Sequence, residues 1–374
     1  MNVGKINKKV HKKKILLAPL DWGLGHATRC VPLIKLLISS GAEVIIAAEG
    51  PVASLLKKEF PACVILRLKG YKIRYSSSKT FFFLKMFTQF PKVISVMKYE
   101  KEWLNHIIAD HEIDGVISDN RFGFYTNKIP CVFITHQLFI QTGNKVLDKL
   151  AQKINYKYIN KFDDCWVADG AGTNNLAGAL SHPGKLPATP VKYLGILSRC
   201  EKLQVEKNID LLLMISGPEP QRSIFEKVLL PQLEQIKGSV VFLRGMPLAK
   251  DELLTVNKNV TIYNHVPAAS LNKMIQESKL VVARCGYSTI MDLAVLNQRA
   301  ILIPTPGQTE QEYLAGYLKE KNLFYTVKQE GFCLEKEIEN VNKFEFAATG
   351  SIPRLNERIV IDWLRNLNTA EQES

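Results

Sequence analysis

A strand–helix–strand pattern in residues 279–317, with polar residues gathered after each strand, most constrains how this chain can fold. The apolar runs 280–283 and 300–303 predict two buried strands, because both are short and are bounded by polar or turn residues. A helical periodicity that begins near Ser288 lies between them. Strands joined by a helix pair in parallel, and ligands bind at the carboxyl ends of such strands. The pattern therefore predicts an α/β fold with a binding site after these two strands.

The turn after the first of these strands has the chemistry of an anion-binding site. Gly286 would let the backbone approach a ligand closely, since glycine has no side chain. The backbone N–H groups of Tyr287, Ser288 and Thr289 would point outward at the helix N-terminus, where the helix dipole favours negative charge. These residues indicate a site for a nucleotide diphosphate.

Three further residues of this stretch could bind a sugar nucleotide or could stabilise helix ends. Asp292 could accept hydrogen bonds from a ribose, and Gln311 and Glu312 could hold sugar hydroxyls. The alternative is structural, because Thr289 with Asp292 and Thr309 with Glu312 have the spacing of capping boxes. The residues alone leave both interpretations open.

The stretch resembles the donor-binding signature of the glycosyltransferase family 28 C-terminal domain, the group that includes MurG-like enzymes and plastid galactolipid synthases. That signature has a small residue and a glycine in a turn, a threonine, and an acidic residue three positions later. A Gln-Gln or Gln-Glu pair then follows a proline-rich turn. The family usually has Glu where this chain has Asp292, which shortens the reach to the ribose. The matching residues are Cys285, Gly286, Thr289, Asp292, Gln311 and Glu312.

A glycine-rich turn in the first half of the chain, residues 21–26, follows a predicted strand and ends at His26. At the start of a helix, the dipole lowers the pKa of an imidazole and favours the neutral form that a general base needs. His26 is therefore a candidate general base. A histidine that only caps the helix or packs against it is the alternative.

Polar residues also follow two later predicted strands of the first half. Asp119 follows one of them, and His136 and Gln137 follow the next. Asp119 is a second candidate for the general base, or the group that orients His26. All of these residues would face the same cleft, because the carboxyl ends of parallel strands share one edge of the sheet.

The glycines of the first-half turn support two interpretations. Gly23 and Gly25, with Glu49 after the next strand, are typical of a dinucleotide-binding fingerprint, although Thr28 stands at the third glycine position. The family resemblance instead implies a Gly-x-Gly-His loop in which His26 is the catalytic residue. It also implies an acceptor side, with Gln where the family has Glu, formed by Gly23, Gly25, His136 and Gln137.

The second half of the chain starts with a further predicted strand, and the turn after it resembles the family's phosphate-contacting loop. Ser216 and Gly217 fit that loop, whereas two prolines that follow them reduce the number of available N–H groups. Arg244, after the next strand, could contact phosphate or be a surface charge. The resemblance also implies that the backbone at Val266 holds the nucleotide base.

The chain is basic, with a formal net charge of +13 and six lysines in its first 14 residues. Such a leader can bind nucleic acid or anionic lipid, or it can be a solvated, disordered tail. The charge is not interleaved into a recognisable nucleic-acid motif, so we expect no nucleic-acid partner. Five phenylalanines lie among lysines in the segment from Phe81 to Phe90, which is either a buried helix or an apolar patch that meets a membrane.

The sequence also bears on cellular location. No run of about 18 apolar residues is present, and no signal peptide is visible. The seven cysteines include no CxxC pair, which is typical of a reduced, cytoplasmic protein. A peripheral position on the inner face of the membrane is the expectation if the phenylalanine segment or the leader binds lipid.

The alternation of strands and helices occurs twice, which predicts two Rossmann-like domains with a cleft between them. In the family this is the GT-B arrangement, with a C-terminal helix that returns to the first domain. We expect a basic, disordered leader (1–14), an acceptor-side domain (15–198), a nucleotide-sugar-binding domain (199–350), and a returning helix with its tail (351–374).

These features predict an inverting glycosyltransferase. The resemblance implies a nucleotide-sugar donor, a UDP-sugar, and an acceptor hydroxyl on a glycan of the cell envelope or on a lipid-linked molecule. No cofactor is expected, and the absence of an Asp-x-Asp motif predicts that no metal is required. Three alternatives are a UDP-sugar epimerase of the same fold, an NAD-dependent oxidoreductase and a non-enzymatic basic binding protein.

Overall fold

The structure is a computed structural model, and it describes residues 12–71, 79–217, 219–246, 249 and 253–367. The side chains of residues 79–88, 90 and 253–257 are outside that description. The segment from Phe81 to Phe90 belongs to a long helix, but the question of whether its phenylalanines are buried or face a membrane lies outside the described residues. Most of the basic leader, residues 1–11, also lies outside them.

The first domain is built on a parallel sheet, which has seven strands among the described residues. Its elements are β1 (Lys14–Pro19), α1 (Leu24–Ser39), β2 (Glu43–Ala47), α2 (Gly50–Glu59), β3 (Val64–Leu66), α3 (Lys79–His111), β4 (Gly115–Asp119), β5 (Cys131–Thr135), α4 (Lys145–Ile159), β6 (Asp164–Val167) and β7 (Val191–Tyr193). The strands lie in the order β3-β2-β1-β4-β5-β6-β7, and every neighbouring pair is parallel.

The second domain repeats this plan with one antiparallel edge strand. Its elements are β8 (Ile209–Met214), α5 (Gln221–Leu229), β9 (Val240–Leu243), β10 (Leu253–Asn257), β11 (Val260–Tyr263), α6 (Ala268–Glu277), β12 (Ser278–Arg284), α7 (Tyr287–Leu296), β13 (Ala300–Ile303), α8 (Thr309–Glu320), β14 (Tyr325–Thr326), α9 (Leu334–Asn342) and α10 (Glu357–Asn366). The strand order is β10-β11-β9-β8-β12-β13-β14, with β10 antiparallel to β11.

The central strands are apolar on both faces because helices cover both sides of each sheet. In β1, Ile15, Leu16 and Leu17 are each 0% exposed. Ile15 and Leu17 pack on the α1 side, and Leu16 packs on the opposite side with residues of α3. The predicted fold class, two Rossmann-like domains, is therefore confirmed.

The two domains share one continuous apolar cluster rather than meeting at a thin polar seam. Ala27 and Val31 of α1 belong to the same cluster as Ile290 and Leu293 of α7. Helices α1 and α7 thus lie against each other across the domain boundary. This contact positions the amino-terminal ends of both helices at the cleft.

The C-terminal helix α10 packs against the first domain, as the fold prediction stated. The ring of Trp363 lies edge-on to Trp166 of β6, with 5.5 Å between ring centroids and an interplanar angle of 82°. The Trp363 ring also approaches Gly115 so closely that a Cβ there would lie 2.8 Å from it. No helix within the described residues combines the length and apolar character needed to cross a bilayer.

Trp363→Ala should destabilise the protein by about 3–5 kcal/mol, because it empties a packed aromatic site between α10 and the first sheet. The measurement is the unfolding midpoint in denaturant, followed by tryptophan fluorescence. Arg365→Ala on the same helix is the control, since that side chain is 77% exposed and should change the midpoint little. Equal shifts for the two variants would contradict the packing role of Trp363.

Candidate active site

Several of the residues predicted to form the site lie at the two topological switch points of the molecule. In the first sheet the strand order reverses between β1 and β4, and in the second sheet it reverses between β8 and β12. His26 follows β1 and Asp119 ends β4, whereas Ser216 follows β8 and Gly286 follows β12. Ligands of open α/β sheets bind at such points, so the fold places both halves of the predicted site where the topology favours binding.

His26 and Asp119 are in direct contact. His26 lies in the first turn of α1, and its Nδ1 is 3.1 Å from Oδ2 of Asp119. Asp119 is 0% exposed, and the Arg29 guanidinium donates to both of its oxygens, with Nε 2.9 Å from Oδ2. Burial acts to raise the pKa of Asp119, but Arg29 and then His26 outweigh it and hold that pKa well below its usual range.

The contact with Asp119 determines which nitrogen of His26 is free to act as a base. An ionised carboxylate can only accept hydrogen bonds, so Nδ1 carries the hydrogen and Nε2 keeps the lone pair. The pKa of His26 is lowered, first by burial and then by the positive charge of Arg29, while Asp119 opposes the shift. The neutral form expected from the helix position is thus favoured, chiefly by burial and by a neighbouring charge.

Arg29 extends this network to the second domain through His136. Its Nη1 donates to Nδ1 of His136 at 2.9 Å. Because arginine has no acceptor atom, Nδ1 of His136 accepts and its Nε2 donates, 2.8 Å from Oε1 of Glu310 in the first turn of α8. A continuous series of hydrogen bonds therefore connects the donor-side domain with the candidate base. It passes through Glu310, His136, Arg29, Asp119 and His26.

Neither Arg29 nor Glu310 was predicted as a site residue. Arg29 lies three residues after His26 on one helix, a spacing that places two side chains on the same face. Glu310 belongs to the polar loop of the signature, next to the residues that were predicted. The spacing on the helix could have identified Arg29. Glu310 could not be identified in this way, because its partner His136 is 174 positions away in sequence.

The N-terminus of α7 docks on the first domain with two side chains. The Tyr287 ring stacks on His136, with 4.1 Å between centroids and 4° between planes, and its hydroxyl donates to the carbonyl oxygen of Ala168 at 2.8 Å. Ser288 Oγ donates to the carbonyl oxygen of Gly25 at 3.0 Å. These side chains, predicted as part of the donor site, join the domains, and only their backbone N–H groups remain for a ligand.

Gly25 allows this close approach because it has no side chain. A Cβ at Gly25 would lie 2.6 Å from Ser288 Oγ, far inside a normal contact. Gly23, by contrast, has a φ of 104°, a conformation that favours glycine whatever surrounds it. Glycine is therefore favoured at these two positions for different reasons, a close contact at Gly25 and a positive φ at Gly23.

Gly286 is the N-cap residue of α7, and a Cβ built there would have no neighbour within 4 Å. Among the residues that the structure describes, no side chain caps this helix or α8, whose N-cap residue is Gln308. The capping-box alternatives for Thr289 with Asp292 and for Thr309 with Glu312 are therefore wrong, because each threonine lies inside its helix rather than at the N-cap position. The N-terminus of α7 keeps the open, uncapped geometry of an anion site.

The predicted sugar-binding and ribose-binding residues are bonded within the protein. Asp292 Oδ1 accepts from Ser198 Oγ at 2.5 Å, in the segment that joins the two sheets, and burial raises the pKa of Asp292. Gln311 Oε1 accepts from the Thr305 N–H at 2.8 Å, and Glu312 Oε1 accepts from the Gly307 N–H at 3.0 Å. The last two bonds hold the turn between β13 and α8.

The remaining predicted donor residues divide into exposed and buried groups. Ser216 and Gly217 are exposed at the end of β8, and Gly217 has a φ of 110°. Arg244 is not a free surface charge, because it pairs with Glu226 at 2.5 Å. Two others are buried and can offer a ligand only backbone: Val266, which is 8% exposed, and Cys285, which is 0% exposed and whose thiol pKa is raised by burial.

Other predicted positions and a cavity lie around this centre. Gln137 directly follows His136, and its carbonyl oxygen accepts from Asn155 of α4 at 3.1 Å. Glu49, the residue expected to bind a ribose in the NAD alternative, accepts from the Gly70 N–H at 3.0 Å. A cavity of about 320 Å³ beside Trp363 lies at the amino ends of β5 and β6, the edge opposite the site, so it is not part of it.

Comparisons with known proteins bear on this two-sided site. Residues 223–349 match the model described as "Glycosyltransferase family 28 C-terminal domain". This match lies within the second domain. This confirms the resemblance drawn from residues 279–317, and it supports glycosyltransferase activity for the chain.

Relatives extend the likeness beyond the family 28 domain. An uncharacterized glycosyltransferase of Methanosarcina acetivorans is 25% identical over 359 residues, covering 87% of this chain and 90% of the relative. The UDP-N-acetylglucosamine--N-acetylmuramyl-(pentapeptide) pyrophosphoryl-undecaprenol N-acetylglucosamine transferase of Clostridium tetani is 25% identical over 336 residues, covering 85% and 86%. Acinetobacter baumannii MurG superposes with a TM-score of 0.58 at 16% identity, covering 95% of this chain and 100% of MurG. The superposition shows the GT-B fold.

Gly25→Ala and Ser288→Ala should be strongly coupled. The first variant forces Ser288 away from Gly25, whereas the double variant has no hydroxyl to displace, so its destabilisation should be smaller than the sum of the singles. A coupling on the order of 1 kcal/mol is expected from a thermal or denaturant double-mutant cycle. Gly184→Ala, where a Cβ meets nothing within 4 Å, is the control. Additive effects would mean that α7 does not dock at Gly25.

Proposed function

We propose that this protein is an inverting glycosyltransferase that transfers a sugar from a UDP-sugar to an acceptor hydroxyl. One observation carries the proposal: the Ser288 hydroxyl of the uncapped α7 N-terminus is bonded to Gly25, the residue before His26. A candidate general base and an anion site therefore face each other across one cleft. Transfer from a nucleotide sugar needs both, one for the acceptor proton and one for the departing diphosphate.

In this mechanism His26 is the base and Asp119 is its positioning partner. Both oxygens of Asp119 are engaged by Arg29 and His26, and the side chain is 0% exposed, so it has no access to an acceptor. The acceptor oxygen bonds to the anomeric carbon while its proton passes to Nε2 of His26. The bond from the anomeric carbon to the phosphate oxygen breaks on the opposite side, which inverts the configuration.

The electron pair of the broken bond leaves with the nucleoside diphosphate. The N–H groups of residues 287–289 and the positive end of the α7 dipole stabilise this charge. Ser216 and Gly217, exposed at the other side of the same switch point, add contacts to the phosphates. In this proposal no divalent cation is needed, so donor cleavage should persist in EDTA.

The name of one relative supports the proposed donor and acceptor classes. The Clostridium tetani relative carries in its name a UDP-linked donor and an acceptor built on a lipid pyrophosphate. We extend both classes to this chain, with a cytoplasmic protein that works peripherally at the inner face of the membrane. The basic leader and the segment from Phe81 to Phe90 are proposed lipid contacts.

A thermal-shift screen across nucleotide sugars tests the function. A UDP-sugar should stabilise the wild type, and Gly286→Val should weaken that binding by about tenfold or more, because its branched side chain enters the open space at the α7 N-terminus. Gly316→Val is the control, since a Cβ there also meets nothing. His26→Ala should bind donor normally but lose turnover by about 10²–10⁴-fold.

Three results would contradict this assignment. Normal turnover in His26→Ala would remove the proposed base. Conversion of a UDP-sugar to its epimer without acceptor would favour the epimerase. Stabilisation by NAD but by no nucleotide sugar would favour the oxidoreductase.

The pH dependence should report the charge of Arg29. A base must be neutral, so kcat/KM falls as pH drops through the pKa of His26, which burial and Arg29 hold below the ordinary histidine value. Arg29→Gln removes the positive charge and leaves Asp119 less compensated, so the acid limb should move to higher pH. Arg29→Lys keeps the charge and should shift the limb less. A folded Arg29→Gln variant with an unmoved limb would show that His26 is not the titrating base.

A further inference from the structure

Helix α4 of the first domain buries polar side chains and exposes several apolar ones. Its buried positions include two polar residues, Asp148 at 8% exposure and Asn155 at 3%. Four of its apolar side chains face outward, and their exposures are 75% for Val146, 36% for Leu147, 52% for Leu150 and 37% for Ile154. Ile159, at the C-terminal end of the helix, is buried in the core. A surface helix normally buries its apolar stripe, so this exposed stripe requires an explanation.

Hydrogen bonds fix the helix in this orientation. Asp148 Oδ1 accepts from the Thr142 N–H at 2.6 Å and from its hydroxyl at 2.7 Å. Asn155 Nδ2 donates to the carbonyl oxygens of Gln137 and Leu138, both at 3.1 Å. Rotating the helix to bury the apolar stripe would break these bonds and leave buried polar groups unpaired. The stripe therefore stays on the surface.

A row of lysines runs beside the apolar stripe. Lys145, Lys149, Lys153 and Lys157 recur at every fourth position, and all four are exposed. At about 100° per residue, this spacing lays the row along one flank of the stripe. The helix carries one acid, Asp148, and that side chain is turned inward. The outer face of α4 is thus apolar and uniformly positive.

We propose that the outer face of α4 docks on the surface of an anionic lipid bilayer. Val146, Leu150 and Ile154 enter the boundary between headgroups and acyl chains, and the lysines lie against lipid phosphates. A second copy of this chain fits less well, because a two-fold interface through this face would gather the lysines of both copies at one contact.

The docking face is bonded to the candidate active site. Asn155 holds the carbonyls of Gln137 and Leu138, the two residues that directly follow His136. A bilayer at α4 therefore lies beside the acceptor side of the cleft. This link rests on the proposed function, since a lipid-linked acceptor presented at the headgroup level would reach His26 by this route, whereas the docking itself does not depend on it.

Sedimentation with vesicles tests the docking without any sugar nucleotide, so its outcome is independent of the transferase assignment. The full-length wild type should bind vesicles of phosphatidylcholine with phosphatidylglycerol, and should bind pure phosphatidylcholine much less. Lys149→Gln/Lys153→Gln should lower the partition coefficient by about 25-fold, roughly fivefold per charge. Val146→Ser/Leu150→Ser should lower it by about tenfold or more at equal charge.

Matched controls separate the face from general charge and hydrophobicity. Lys336→Gln/Lys343→Gln removes the same charge from exposed positions of the second domain, and Leu203→Ser/Ile224→Ser removes apolar side chains that are 44% and 40% exposed. Both should bind vesicles like the wild type, and all variants should keep the wild-type melting temperature. The proposal would be overturned if the wild type did not bind anionic vesicles. It would also be overturned if the α4 variants bound them as well as their controls do. A dimer that Val146→Ser/Leu150→Ser dissociates would also overturn it, in favour of a second copy.

Discussion

The buried ion pair between Arg29 and Asp119 is the interaction on which the candidate site depends. Its two charges come from α1 and from the end of β4, so it ties the glycine-rich turn to the centre of the first sheet. It keeps Asp119 ionised, which fixes the tautomer of His26, and its spare guanidinium nitrogen holds His136. Removing either charge would leave the other buried and uncompensated, a loss that costs about 3–5 kcal/mol in other proteins. The base, its orientation and the link to the second domain therefore share one electrostatic origin.

The contacts that join the domains are made by the same short turn that offers N–H groups to an anion. The side chains of Tyr287 and Ser288 contact Ala168, His136 and Gly25 of the first domain, and the backbone of the same two residues forms the start of α7. Glu310 adds a carboxylate from the neighbouring loop. The first turn of α7 thus serves both donor binding and domain docking. A ligand bound at its N–H groups would lie next to the residues that contact the first domain.

Much of the fold could be predicted because its signals are local. Short apolar runs that alternate with helical periodicity identify buried parallel strands, and the turn residues after them identify the switch points. His26 and Asp119 were found in this way. Arg29 and Glu310 were missed because a charged residue on a helix shows its orientation only when its distant partner is known. The proposed capping boxes failed for a local reason, since each threonine lies inside its helix rather than at the N-cap position. Helix α4 departs from the periodicity rule, because Asp148 accepts from Thr142 and Asn155 donates to the carbonyl of Gln137, and these bonds decide which face turns inward.

The close approach of Ser288 to Gly25 also limits how domains of this kind can be exchanged. A chimaera that joins this first domain to the second domain of a relative keeps the docked arrangement only if the incoming turn carries a small hydroxyl residue at the position of Ser288. It also needs a carboxylate that reaches His136, as Glu310 does here. Modular engineering of donor specificity in this chain is therefore a matter of matched pairs of residues across the cleft, rather than of whole domains taken as independent parts.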